Sequence, residues 1–263
     1  MIFPLSSSAY LRVNGSASNA GNYETGSGIK PLTEYSTTDY TAILGTLLSD
    51  GSKLEFNYTN NRQDKVGYPG LTMDIVYSYT DMYTLKYHRV TPFGMFSTMN
   101  VELFNTDIDH LMNNVVLRGN TGNGVMSWPT ASDTYGGRII GTIGSDIRAG
   151  IDYEHNTKDA EQNMVMSGMN VFMTYLWPGV ETEKLGLFFE KDLNNISYGL
   201  RYDQVELDPT RAADDPGSGM MQKTANEVYT ADYDRTIVAS KRDFDNISGF
   251  LRINKDYNHG ESY

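Results

Sequence analysis

The 263-residue chain has no cysteine. That excludes disulfides, thiolate metal sites and cysteine nucleophiles within these residues, and it suits an oxidising compartment where an unpaired thiol is a liability. Basic side chains are the minority, 21 Lys and Arg against 33 Asp and Glu for a net charge of -12. Such a field repels phosphates, so the chain is not a nucleic-acid-binding domain. Long apolar runs are missing too: nothing approaches the ~20 consecutive apolar residues of a membrane-spanning helix. The opening "MIFPLSSSAY" has neither a basic n-region nor the ~7 to 15 apolar residues of a secretory signal, so it does not read as an export address.

What is present is 19 Tyr, 10 Phe, 13 Met and 25 Gly beside only 2 Trp. The apolar residues alternate with polar ones, as strand side chains do when successive residues point to opposite faces. In "KLEFNYT", Leu54, Phe56 and Tyr58 oppose Lys53, Glu55, Asn57 and Thr59. In "SYGLRYD", Tyr198, Leu200 and Tyr202 oppose Ser197, Arg201 and Asp203. "DIRAGIDYE" alternates Ile147, Ala149, Ile151 and Tyr153 with Asp146, Arg148, Asp152 and Glu154, and "MNVFMTYLW" sets Met169, Val171, Met173, Tyr175 and Trp177 on one side. Related patterns near 9–18, 33–48, 80–91, 95–107, 134–143, 182–192 and 245–256 bring the total to about eleven strands, with no amphipathic helix.

These lengths cluster near the ~9 to 11 residues that a tilted strand needs to cross a bilayer, above the ~5 to 6 of ordinary soluble strands. Connections alternate as well. "SDG" and "LNN" are short; the longest runs from about 208 to 243. Short turns at one end and long loops at the other is the outer-membrane barrel pattern. The expected fold is therefore all-β, an antiparallel transmembrane β-barrel, with Leu, Tyr and Phe toward outer-membrane lipid and the charged residues toward a wet interior. Bacterial single-chain barrels have even strand numbers, so an odd count implies a partial barrel.

Three stretches carry more than periodicity: "NYETGSGIKP" (Asn22 to Pro31), "VGYPGLTMDIVYSYTDMYTLKYHR" (Val66 to Arg89) and "MNVELFNTDIDHLMNNVVLR" (Met99 to Arg118). With "TYGGRI" (Thr134 to Ile139), their order resembles the barrel of TonB-dependent outer-membrane receptors over about residues 9 to 207. Within that superfamily the chain looks most like the copper receptor group, whose barrels carry an "MD" motif after a glycine-containing turn and then "DHxMDN". Here these read Met73-Asp74 and Asp109-His110-Leu111-Met112-Asn113-Asn114. Asn113 stands where the group has Asp.

The resemblance implies about half of a 22-stranded barrel across residues 1–263, with the N-terminal plug domain absent and the TonB complex as driving partner. It implies a bacterial cell outer-membrane receptor that takes up copper or another metal ligand and is not an enzyme. No tightly bound cofactor is expected, only a transported copper. Met73 and Met112 match the group's barrel methionines, and thioethers are soft ligands that select Cu(I); the same residues also suit packing between wall and plug. His110, two residues from Met112 on the same strand face, joins them as a candidate metal ligand. Asp74 is expected to anchor its turn.

Other clusters are weaker. Met164, Met166, Met169 and Met173 are split between faces by the alternation, Met220-Met221 and Asp214-Asp215 lie in the longest loop, and His88, His155 and His259 have no metal-ligand spacing. No histidine stands beside a serine in a way that marks hydrolytic chemistry. A siderophore or haem receptor, a passive channel of several copies, and a soluble β-protein remain the rival readings.

Overall fold

A computed structural model of the chain describes residues 1–119, 124–165, 172–210 and 240–253. Eleven strands run in chain order: β1 (Ile2–Pro4), β2 (Ala9–Ala20), β3 (Tyr35–Leu47), β4 (Lys53–Val66), β5 (Asp74–Arg89), β6 (Phe96–Asn113), β7 (Val125–Ile143), β8 (Ile147–Val165), β9 (Phe172–Leu193), β10 (Ile196–Pro209) and β11 (Arg242–Ile253). They form one open sheet in which each strand pairs antiparallel with its sequence neighbours. No helix occurs among the described residues. This is the all-β fold that the alternation predicts, a partial β-barrel wall.

The count of eleven agrees for two compensating reasons. The three-residue β1 is too short to be seen as a pattern. The separate strands expected at 169–177 and 182–192 are one strand, β9. Trp177-Pro178-Gly179 looks like a turn, yet the chain only bulges there. Gly179 takes φ 59°, the ladder to β8 shifts register around Ala160, and the Gly179 carbonyl accepts the Thr210 hydroxyl at 2.7 Å. Positive φ costs glycine little, so the bulge re-aims the strand without ending it.

Strand length needs correcting as well. From β2 to β11 the strands have 12 to 22 residues, beyond the ~9 to 11 that a hydrocarbon crossing requires. The excess lies in polar stretches that alternation of apolar residues cannot reveal, such as Ser127 to Asp133 on β7.

The two faces differ sharply. Leu44, Phe56, Leu85, Leu103, Ile139, Ile151, Leu187, Leu200 and Ile247 are all exposed, and the ladders set them on one face. A contiguous exposed apolar surface of this extent needs lipid or protein against it. Toward the long-loop side this band ends in a row of tyrosines, Tyr40, Tyr58, Tyr83, Tyr135, Tyr153 and Tyr202. The row is not perpendicular to the strands. Followed through successive ladders, the position opposite Tyr40 arrives at Asp208 on β10, six residues beyond Tyr202. Six residues of drift over the seven intervals from β3 to β10, at ~3.3 Å per residue and ~4.8 Å per interval, is a tilt of roughly 30°. A level belt on a barrel of tilted strands must step in this way.

The opposite face is polar. Arg201 on β10 reaches across β9 to Asp152 on β8 with two bonds of 2.9 Å, and also bonds Asp203 at 2.6 Å. Gly186 on β9 lies beneath the guanidinium: a Cβ there would meet the Arg201 Nη2 at 2.2 Å. A paired fork of this kind satisfies its charges while spanning three strands.

Candidate metal site at the long-loop end

Among the described residues, the connections at 21–34, 67–73 and 114–119 lie at one end of the sheet, while the tight turns at 48–52, 144–146 and 194–195 lie at the other. The first three sequence stretches singled out by motif converge at the long-loop end. Asn22 folds its own loop by accepting the N–H groups of Thr33 at 2.6 Å and Glu34 at 2.8 Å. The Glu34 carbonyl then accepts Gly67 N–H at 2.8 Å. A Cβ at Gly67 would lie 2.8 Å from Leu32 backbone atoms, so the two loops meet at a contact only glycine permits.

The next link is Asp74. Its carboxylate is completely buried. It accepts the Tyr68 N–H at 2.8 Å, Arg118 Nε at 2.6 Å and Arg118 Nη2 at 2.7 Å. Arg118 Nη2 also donates to the Tyr68 carbonyl. Asp74 therefore anchors its turn, as expected, and in addition holds an arginine from the following loop. A two-bond fork of this type is the strong form of ion pairing, and the hydrogen bonds that Arg118 donates to Asp74 keep it more firmly protonated than an ordinary arginine.

Asn113 and Asn114 finish the framework. Asn113 Oδ1 accepts the N–H groups of Val115 and Val116 at 3.1 and 3.0 Å. Asn114 donates to the Gly124 carbonyl at 2.8 Å and accepts Met126 N–H at 2.9 Å, tying the two ends of the 114–124 loop together. These are turn-anchoring roles that an amide performs as well as a carboxylate. Asn113, where the copper group has Asp, is thus accounted for by local hydrogen bonding.

The methionines sit against this framework. Asp74 pairs with Asn113 and Ile75 with Met112 across the β5–β6 ladder. Met73 precedes Asp74 by one residue and so stands two residues from the partner of Met112. Met73 lies just outside the ladder, so the two methionines flank its terminal Asp74–Asn113 pair. Met73 is only 3 % exposed; Met112 is half-buried. His110, also half-buried, lies opposite Ser78 on β5 and Thr130 on β7. It shares its side of β6 with Met112 by alternation.

No group of three or more His, Asp or Glu among the described residues is arranged to hold a metal ion. Any metal here would rest on thioethers with at most one imidazole. His155 is engaged in packing, its ring stacked on Tyr135 at 4.8 Å and beside Glu183 at 3.4 Å. Met166, Met169, Met220, Met221, Asp214, Asp215, His259 and the side chain of Met173 lie outside the described residues.

Among solved structures the chain is similar to one titled copper transporter OprC, with TM-score 0.69 and 18% identity over 93% of this chain and 38% of that chain. At that identity the likeness is one of fold, and the chain spans well under half of that transporter's length. No family model matches the sequence, and neither does any curated protein.

Proposed function

We propose that this chain is part of the wall of a bacterial outer-membrane, TonB-dependent transporter for copper, and that Met73 and Met112 present their thioethers to Cu(I). The observation that carries the copper reading is the register: Asp74 pairs with Asn113 at the end of one ladder, and each has one of the methionines beside it. That pair brings Met73 and Met112 to the same end of the β5–β6 hairpin although 39 residues separate them in sequence. Soft sulfur donors favour Cu(I) over hard divalent cations. His110 adds a borderline nitrogen donor on the strand that carries Met112.

Membrane placement rests on a separate observation. The exposed apolar band and its stepped tyrosine row match what a barrel wall immersed in lipid presents, with aromatic rings at the interface. The resemblance of the motifs to TonB-dependent receptors, and the fold likeness to a copper transporter, support the same reading. The plug and the TonB complex are the partners such a wall would need. Transport, not catalysis, is the assigned role.

The test is Cu(I) affinity, measured anaerobically by chelator competition on the chain folded in detergent, with Met73→Leu, Met112→Leu and His110→Ala alongside. The expected result is measurable wild-type binding that falls in both methionine variants. Equal binding by wild type and both variants would refute the thioether site. Iron-chelate binding in place of Cu(I) binding would instead favour a siderophore receptor.

A further inference from the structure

We infer that Arg118 is a positioning residue of the copper site: its fork onto Asp74 sets the spacing of the two thioethers by locking together the loops that follow and precede them. This rests on the reading of Met73 and Met112 as ligands and adds a residue that touches neither metal nor substrate.

Met73 lies just outside β5, which begins at Asp74. Its position therefore depends on what holds the loop from 67 to 73. That loop is closed at Tyr68, whose N–H is bonded to Asp74, whose carbonyl accepts Arg118, and whose carbonyl also receives Leu71 N–H at 3.1 Å. Arg118 thus joins both ends of the loop through one guanidinium. On the other side, Met112 is followed by Asn113, which fixes Val115 and Val116, and the chain reaches Arg118 only two residues later. The Asp74–Arg118 pair consequently bridges the segment flanking Met73 to the segment flanking Met112.

The burial pattern fits a fixed device. Asp74 is fully buried, and the Arg118 side chain is 21% exposed, so solvent competes little for the fork. Two thioethers alone bind weakly, and a weak donor set depends strongly on being held at the right separation before the metal arrives. Groups that orient metal ligands without touching the metal typically change affinity 10- to 100-fold when removed.

The experiment measures Cu(I) affinity and apo-protein melting together, for wild type, Arg118→Gln, Arg118→Lys and the two methionine variants, all as the full chain in detergent. For Arg118→Gln, the expected result is Cu(I) affinity roughly 10- to 100-fold weaker in protein that is still folded. Arg118→Lys, which keeps the charge but cannot form the fork, is expected to fall between it and wild type. A merely structural arginine would lower melting and leave the affinity of the folded fraction unchanged; that result overturns the inference while the methionine site stands. Loss of no affinity in Met73→Leu and Met112→Leu, or no wild-type binding, overturns the site and the positioning role with it. Should Arg118→Gln fail to fold, Asp74→Asn carries the same comparison, because it retains an acceptor for Tyr68 N–H while weakening the pair.

Discussion

The two ends of this sheet are held by different means. At the short-turn end tight backbone turns close the hairpins, and contacts such as Arg89 on Asp50 at 3.0 Å and Ser97 on the Gly144 carbonyl at 2.6 Å tie neighbouring hairpins together. Leu48 N–H donates to the Ser52 carbonyl at 2.8 Å around Gly51 at φ 82°, and Asn194 at φ 49° makes the two-residue turn between β9 and β10. At the long-loop end, side chains add to the backbone turns: Asn22 and Asn114 each brace their own loop, Gly67 packs its loop against Leu32, and Arg118 holds Asp74. Short turns are specified by a residue that tolerates positive φ. Long loops need buried polar partners, and those partners end up surrounding the candidate metal ligands. One end is closed by tight turns, and the other carries the candidate site.

This contrast is easiest to break at Asp74. Asp74→Ala leaves the Arg118 guanidinium unpaired among covered groups and strands the Tyr68 N–H, so a loss on the order of 3 kcal/mol is expected. Its readout is denaturant or thermal unfolding, with amide exchange rising in loops 67–73 and 114–119 while the turn at 48–52 keeps its protection.

Next in size is Gly186→Ala on the polar face of the wall. The new methyl would collide with Arg201, forcing the Asp152 fork to shift at about 1 to 3 kcal/mol. Unfolding should report the loss without altering the loops at the long end. A neutral Gly186→Ala would mean that the fork repacks freely.

Smaller again is Gly51→Ala, which asks an L residue to adopt φ 82° and is expected to cost about 1 to 2 kcal/mol. Cu(I) affinity should not move, since the change is confined to the opposite end.

The smallest effect is a pH dependence at that same turn. Hydrogen bonds from Ser52, with the Arg89 guanidinium adding, hold Asp50 below the ordinary carboxylate range. Because the folded value is depressed, the stabilisation is present above the unfolded pKa of ~3.9 and is lost as pH falls through the folded value. Asp50→Asn should therefore lower melting slightly at neutral pH and flatten this acid limb of the profile, the two proteins converging below the folded Asp50 pKa.

Much of the wall is legible from alternation alone, because a strand with one apolar face repeats strictly every two residues. Leu54, Phe56 and Tyr58 mark β4, and Tyr198, Leu200 and Tyr202 mark β10. Alternation fails where both faces turn polar, so the upper parts of β6, β7 and β8 extend beyond their apolar marks. It also fails at Pro178-Gly179, where turn chemistry serves a bulge. The candidate site is legible only in part. Met73, His110 and Met112 are visible by motif, and Asp74 as a turn anchor. Arg118 is not, because a fork formed across 44 residues leaves no local periodicity. The one signal available was a lone arginine ending "NNVVLR" in an acidic chain, two loops away from an aspartate without a nearby cation.

The central claim is that two thioethers from consecutive hairpins share one Cu(I). Copper K-edge X-ray absorption on the Cu(I)-loaded chain tests it most directly. Two sulfur neighbours are expected in the wild type and one in each of Met73→Leu and Met112→Leu. A copper shell of nitrogen and oxygen alone, or a sulfur count unchanged by either substitution, would contradict it.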